Sequence, residues 1–106
     1  MIKIKKGVKL NGMTPEMLLA IIIADQVYTE YGFECWITSC TDGLHGFGSA
    51  HYTGNGVDLR TRNITRGKYQ DRKKQKAICD EIRRRLGKNY DVALESNHAH
   101  IEFQPK

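Results

Sequence analysis

The sequence contains no long apolar run. Its longest strongly apolar stretch, Met17 to Ala24, is far shorter than the roughly 18 residues that mark a membrane-spanning helix. The basic N-terminus, Met1 to Lys6, is not followed by an apolar block with a small-residue cleavage site, so no secretory signal is predicted. We therefore expect no membrane span and a cytoplasmic protein at synthesis, which acts elsewhere only after release or delivery.

Cysteine is also scarce. The three cysteines, Cys35, Cys40 and Cys79, form no CxxC pair, and an odd number excludes a complete disulfide framework. We expect buried thiols that behave as small hydrophobes, and a bridge between Cys35 and Cys40 after release is the alternative. Repeats, linkers and low-complexity segments are absent too, so 106 residues predict one domain over residues 1–106, expected to be a monomer.

Two segments have the apolar spacing of helices. Thr14-Pro15-Glu16 is typical of a helix start, and apolar residues then recur at steps of three and four as far as Tyr31, before Gly32. This pattern predicts a helix over 15–31. A sparser apolar stripe precedes Gly87 and consists of Tyr69, Ala77, Ile78, Ile82 and Leu86. It predicts a second helix that begins between residues 65 and 69.

The remaining elements are strands. Aromatic and β-branched residues predict strands over 33–38 and 57–61. The glycine-rich stretch 39–50 predicts a long loop. Residues 90–94 and 98–103 flank a turn near residues 95–97 and predict a hairpin. The order of elements predicts an α+β domain with a small, mainly antiparallel sheet and two helices packed on it.

The histidines are the candidate chemical residues. His98 and His100 share one face of the last strand, because side chains alternate along a strand. Glycines between His51 and Asp58 allow the chain to turn and bring the two together. Imidazoles and a carboxylate suit Zn²⁺. A polar strand face and an unrelated Asp explain the same residues, and the residues alone leave both readings open.

Two motifs resemble signatures of the D-Ala-D-Ala metallopeptidase family. Ser49-Ala-His-Tyr-Thr-Gly-Asn-Gly-Val-Asp58 is similar to its S-x-H-x-x-G-x-A-x-D motif. Glu95-Ser-Asn-His-Ala-His100-Ile-Glu102 is similar to its second motif, an acidic segment that runs into H-x-H. The stretch 38–45 also resembles the run before the first motif in small phage members, so the likeness covers residues 37–104.

The resemblance implies a fold and an activity. The fold would be the hedgehog/DD-peptidase-like fold. The activity would be a zinc-dependent peptidoglycan peptidase, a DD-carboxypeptidase or an endopeptidase, that uses a zinc-activated water. His51, Asp58 and His100 would be the zinc ligands. His98 would lie beside the metal and stabilise the oxyanion of the tetrahedral intermediate.

The chain departs from the family pattern at two positions. Gly56 stands where the family has Ala, a change that we expect to be tolerated. Asn97 stands where the family commonly has its catalytic acid, and an amide cannot take a proton from water. General-base catalysis would then need another carboxylate. Glu95 is the nearest in sequence, and a solvated turn residue is its alternative role. Glu102 is expected to orient a histidine.

Ser49 and Arg60 are the candidate substrate-binding residues. Ser49 is expected to act through local hydrogen bonds rather than as a nucleophile. Arg60 and Arg62 suit carboxylates, since guanidinium makes two-point contacts with them, and a solvated strand edge is the alternative. His45 is expected either to contact substrate or to be an exposed loop residue.

The second predicted helix is strongly basic, and the chain carries a net charge of +5. A nucleic-acid-binding helix has this charge, but acidic residues interrupt it and aromatic residues for stacking are nearly absent. We therefore expect no specific nucleic acid as a partner, and the resemblance implies bacterial peptidoglycan as the partner. Two alternatives stay open: a zinc-binding but catalytically inactive module of the same fold, and a small nucleic-acid-binding domain.

Overall fold

The fold is α+β, with two helices packed on a mostly antiparallel mixed sheet. It was obtained as a computed structural model, which describes residues 1–40 and 55–105. The helices are α1 (Pro15–Glu30) and α2 (Arg72–Leu86). The strands in chain order are β1 (Ile2–Ile4), β2 (Cys35–Ser39), β3 (Gly56–Arg60), β4 (Thr65–Arg66), β5 (Tyr69–Gln70), β6 (Tyr90–Leu94) and β7 (His98–Phe103).

Five strands form the main sheet, in the order β1-β2-β3-β7-β6. Only the β1–β2 pair is parallel, and the three other pairs are antiparallel. The register shifts between Ile37 and Ser39, where β2 meets β3. The predicted order of elements along the chain lacked β1, which makes the sheet mixed, and the short strands β4 and β5.

Helix α1 begins as its sequence predicts. The Thr14 side chain accepts a hydrogen bond from the Met17 amide over 3.3 Å, and Pro15 stands at the first helical position, where no amide hydrogen is needed. Gly32 follows the helix with φ of 89°, a backbone conformation that favours glycine. The predicted helix over 15–31 is therefore confirmed to within one residue.

Helix α2 begins later than the expected range of 65–69. Residues 65–66 and 69–70 instead form a two-stranded hairpin, β4–β5, around Gly67, whose φ is 62°. The helix starts after Asp71, because the Asp71 carboxylate accepts a hydrogen bond from the Lys74 amide over 3.0 Å. Tyr69, expected on the apolar stripe of the helix, is 69% exposed on β5.

The main sheet has one apolar face and one polar face. Side chains that alternate along β3 and β7 are fully buried, and they form the core with the helices. The intervening side chains are half-buried and lie on the other face. The buried residues are Val57, Leu59, Ala99 and Ile101; the half-buried ones are Asp58, Arg60, His98, His100 and Glu102.

Other expectations are settled by the described residues. The predicted β6–β7 hairpin is confirmed at both strands. All three cysteines are buried, and Cys35 and Cys40 are not bridged in this structure. Within 1–40 and 55–105, no helix is long and apolar enough to cross a membrane. Most of the predicted 39–50 loop lies outside the described residues.

Candidate functional site

The polar face of the sheet brings Asp58 and His100 together. The two residues are directly opposite each other in the antiparallel β3–β7 pair, so their side chains emerge side by side. His100 Nδ1 donates a hydrogen bond to Asp58 Oδ1 over 2.9 Å. Both side chains are about four-fifths buried: 22% of the His100 side-chain surface and 17% of the Asp58 side-chain surface are exposed.

A second carboxylate holds the other side of the His100 ring. His100 Nε2 donates to Glu102 Oε1 over 2.8 Å, and Glu102 lies two residues along β7 on the same face. The side-chain amide of Gln104 donates to the other Glu102 oxygen. The imidazole is therefore held between two carboxylates, and Gln104 orients one of them, that of Glu102.

These contacts favour a protonated imidazole in the metal-free protein. A ring that donates hydrogen bonds from both nitrogens carries both protons. The hydrogen bond to Asp58 raises the pKa of His100 above its usual value of 6.5, Glu102 raises it further, and burial works in the opposite direction. A metal ion that binds His100 would therefore have to displace one of the two ring protons.

His98 lies beside this pair. It is opposite Arg60 in the β3–β7 register, and its Nε2 is 3.8 Å from Asp58 Oδ1. His98 Nδ1 donates to the Asn97 side-chain oxygen over 2.7 Å. The Nε2 atom of His98 therefore faces the Asp58 carboxylate on the polar face of the sheet.

The arrangement fits two ligands of a zinc ion. Ligands of one tetrahedral zinc lie about 3.3 Å apart when their bonds are roughly 2.0–2.1 Å long; Asp58 Oδ1 and His100 Nδ1 are 2.9 Å apart. Metal-bound histidines usually donate their other N–H to a carboxylate, and Glu102 accepts that hydrogen bond here. Within the described residues, no group of three or more His, Cys, Asp or Glu side chains is arranged to hold a metal.

An open cavity of about 300 Å³ adjoins the pair. Three cationic side chains, from two parts of the chain, line it together with the Asp58 carboxylate. Its lining comprises Lys5, Thr38, Ser39, Asp58, Arg60, Arg62, Asn97 and His98. An anionic ligand group would be attracted by the three cations and a cation by Asp58, so the cavity suits an anionic group next to a bound cation.

Arg60 is held in place from two sides. Its guanidinium lies over the Trp36 ring, 4.7 Å from the ring centroid, in the geometry of a cation–π interaction. Its backbone carbonyl accepts a hydrogen bond from the buried Tyr28 hydroxyl over 2.8 Å. The Arg60 side chain therefore has a defined position at the cavity wall, as a substrate-binding residue needs.

Glu95 lies at the β6–β7 turn, outside the residues that line the cavity. Its amide donates to the His98 carbonyl over 2.8 Å and closes the turn. Arg72 donates to the carbonyls of Glu95 and Ser96 over 3.2 and 3.3 Å. The fully buried Gln75 accepts from Arg72 over 2.6 Å. The turn that carries Asn97 and His98 is therefore anchored to the start of α2.

The remaining predicted site residues fall outside the described part of the chain. These are His51, Ser49 and His45, so the proposed third zinc ligand and the serine of the first motif stay predictions. Of the predicted ligands, the structure brings Asp58 and His100 together, with His98 beside them.

Sequence reasoning missed three contributors to the site. Lys5, which directly follows the unpredicted strand β1, lines the cavity, and Trp36 of β2 holds Arg60. Arg72 was read only as one charge on a basic helix. Its position immediately after the capping Asp71 was the available signal, because it places Arg72 in the first turn of α2 beside the β6–β7 turn.

Comparisons with protein-family models, with curated proteins and with solved structures each found no match to this chain. The functional argument therefore depends on the two motifs and on the geometry of the polar face.

Proposed function

We propose that this protein is a zinc-dependent peptidase that hydrolyses amide bonds in the peptide stems of bacterial peptidoglycan. The observation that carries the proposal is the Asp58–His100 pair, in register on β3 and β7, with Glu102 on the far side of the imidazole. Both residues belong to the two motifs that resemble the D-Ala-D-Ala metallopeptidase family, and a hedgehog/DD-peptidase-like fold is proposed with them.

Asp58, His100 and, from outside the described residues, His51 are the proposed ligands. A bound zinc ion would supply a water of lowered pKa that attacks a carbonyl at neutral pH. Ligation through His100 Nδ1 requires that nitrogen to lose its proton, while the Nε2 proton stays in the hydrogen bond to Glu102. Glu102 thus orients the ligand and raises its basicity.

The cavity beside the pair favours a substrate with a carboxylate. Lys5, Arg60 and Arg62 line it, and Trp36 holds the Arg60 guanidinium. A guanidinium can bind a carboxylate through two parallel hydrogen bonds. Peptide stems of the cell wall carry carboxylates near their amide bonds, so these cations are proposed to position the stem, with Ser49 assisting from the first motif.

Two side chains are proposed to act on the reacting groups. His98, when protonated on Nε2, would donate a hydrogen bond to the developing oxyanion. Glu95 is proposed as the general base, which requires its side chain to turn towards the cavity from its exposed place at the β6–β7 turn. This proposal follows from Asn97, because an amide cannot serve as the base.

The test is incubation of purified sacculi with the zinc-loaded protein, followed by mass spectrometry of the released fragments. We expect new fragments that differ from the controls by hydrolysis of one type of peptide bond, and none after chelation of the metal. Glu95→Gln should keep its zinc and lose turnover by about 100-fold or more, the usual contribution of a general base. Full activity in that variant would assign the base elsewhere.

A zinc-binding module without peptidase activity is the second candidate. Asn97 favours it, because this amide occupies the expected position of the acid and accepts a hydrogen bond from His98. Asn97→Asp distinguishes the two candidates. The added carboxylate should increase the rate of an enzyme, whereas a protein that binds zinc and cuts sacculi in neither form is the inactive module.

A further inference from the structure

The net positive charge of this protein comes from one short segment. Residues 62–76 contain seven of the 17 Lys and Arg residues but one of the 12 Asp and Glu residues, which gives this segment a charge of +6. The rest of the chain contains ten basic and eleven acidic residues, and its charge is −1. The surface field of the molecule is therefore strongly one-sided.

The later part of α2 is also rich in arginine, but its charges are paired. Arg83, Arg84 and Arg85 each contact an acidic side chain within 2.7 Å. By contrast, within residues 1–40 and 55–105, no acidic side chain pairs with Arg66, Lys68 or Lys73. All three are exposed. The unpaired charge is thus concentrated on the β4–β5 hairpin and the first turn of α2.

An exposed aromatic ring lies among these cations. Tyr69 is 69% exposed, and the Lys68 ammonium lies 5.6 Å from the centroid of its ring. An open cavity of about 430 Å³ follows this surface. Its lining comprises Arg66, Tyr69, Gln70, Asp71, Arg72 and Lys73. We call the set Arg66, Lys68, Tyr69 and Lys73 the basic ridge.

The basic ridge is connected to the candidate site through Arg72. Arg72 lines the cavity along the ridge, and its guanidinium donates to the carbonyls of Glu95 and Ser96. The next two residues, Asn97 and His98, line the cavity beside Asp58. The β6–β7 turn therefore links a residue that lines one cavity to residues that line the other.

We propose that the basic ridge binds the anionic polymer of the bacterial wall, with Lys68 and Lys73 contacting its phosphates or carboxylates and Tyr69 packing against a sugar or polyol unit. This proposal rests on the proposed function, since the bound strand would present a peptide stem to the cavity beside Asp58. Single-stranded nucleic acid is disfavoured, because stacking of successive bases requires several aromatic side chains and the ridge has one.

The experiment measures sedimentation of the protein with purified insoluble sacculi, in a background that prevents turnover, Asp58→Asn. The ridge variant is Lys68→Gln/Lys73→Gln. The matched control, Lys6→Gln/Lys88→Gln, removes the same charge from two exposed lysines elsewhere. We expect the ridge variant to bind about tenfold more weakly at low salt and with a reduced dependence on salt, while the control changes little. Tyr69→Ala should also weaken binding, and Tyr69→Phe should not.

The possible outcomes are distinct. Equal losses of sacculus binding in the ridge variant and its control would overturn the proposal, because the net charge alone would then explain the binding. Tighter binding of a 20-residue single-stranded DNA than of sacculi would overturn it in favour of nucleic acid. Sacculi stripped of phosphate polymers identify the anion: retained binding assigns stem carboxylates, and lost binding assigns phosphates. Ridge-dependent binding without any cleavage by the protein with Asp58 intact would reject the peptidase and keep the ridge.

Discussion

Two clusters of charged side chains differ in burial and in charge balance. The sheet cluster, Asp58, His100 and Glu102, is largely buried on β3 and β7. The helix network centres on Asp80 and Glu81 of α2 and is exposed at most of its side chains, although its Glu81–Arg85 pair is nearly as buried as the sheet cluster. Its partners are Lys76, Arg83, Arg84, Arg85 and Glu30.

The sheet cluster and the helix network also differ in their attraction for cations. The helix network contains more basic than acidic groups at contact distance, and exposed pairs of this kind contribute little to stability. The sheet cluster has two carboxylates around one imidazole, so it attracts a cation, either the second proton of His100 or a metal ion. Ion pairs on α2 therefore only join neighbouring side chains, whereas the contacts on the sheet leave a cluster that can still bind a proton or a metal ion.

The largest effect is expected from removal of the cluster's central carboxylate. Asp58→Ala should weaken zinc binding by more than about 100-fold, because it removes a proposed ligand rather than an outer partner. Asp80→Ala, the equivalent change in the helix network, should leave zinc binding unchanged. Competition with a chromophoric chelator measures both variants. Equal zinc affinity in Asp58→Ala and the wild type would show that the ligand set is wrong.

A smaller effect is expected from the outer carboxylate. Glu102→Gln keeps the shape of the side chain but weakens the hydrogen bond to His100, and we expect zinc binding to fall by about 10–100-fold. Glu30→Gln is the matched change in the helix network and should have no effect on zinc. The same chelator titration applies, and a Glu102→Gln variant with unchanged affinity would contradict the proposed orienting role.

The two clusters should also differ in their response to pH. The pKa of His100 is raised in the folded protein, so its contribution to the stability of the metal-free protein is complete below about pH 6.5 and is lost as the pH rises through the folded pKa. Urea unfolding at pH 6 and at pH 9 measures it, and His100→Gln should lack this loss. Zinc binding should show the opposite trend and strengthen as the pH rises.

The smallest effect is expected in the helix network. Hydrogen bonds from Arg84 and Arg85 lower the pKa of Glu81 to about 2. Its contribution is therefore present above about pH 4.5 and is lost as the pH falls towards 2. Because most of the network's side chains, including Arg84, are exposed, we expect Glu81→Gln to lower the melting temperature only slightly at pH 7, and even less at high salt. A large loss would mean that the network supports the packing of α1 against α2.

Local signals predicted the elements whose boundaries depend on nearby residues. Thr14 and Pro15 define the start of α1 within the sequence itself, and the alternation over 98–103 predicted β7 together with its polar face. The faces of His98 and His100 follow from that alternation alone. These features could be predicted because each one depends on residues only a few positions apart.

Other features depend on distant contacts. Three-residue β1 pairs in parallel with β2, more than 30 positions away, and its Ile-Lys-Ile alternation is shorter than the roughly four to eight residues that indicate a strand. The start of α2 was placed too early because Tyr69 was assigned to the apolar stripe, and the capping role of Asp71 was overlooked. The register that puts Asp58 opposite His100 joins residues 42 positions apart. The resemblance to the metallopeptidase family implied that Asp58 and His100 lie together. Composition and residue spacing did not imply this.

Strand β7 is paired on both sides, with β3 and with β6. Amides in such a position exchange their hydrogens only when large parts of a domain open. The imidazoles at positions 98 and 100 are therefore attached to backbone that stays closed for as long as the domain is folded. The ridge hairpin, with two residues in each strand, can open by itself, so a bound polymer strand would be released without disturbing the histidines.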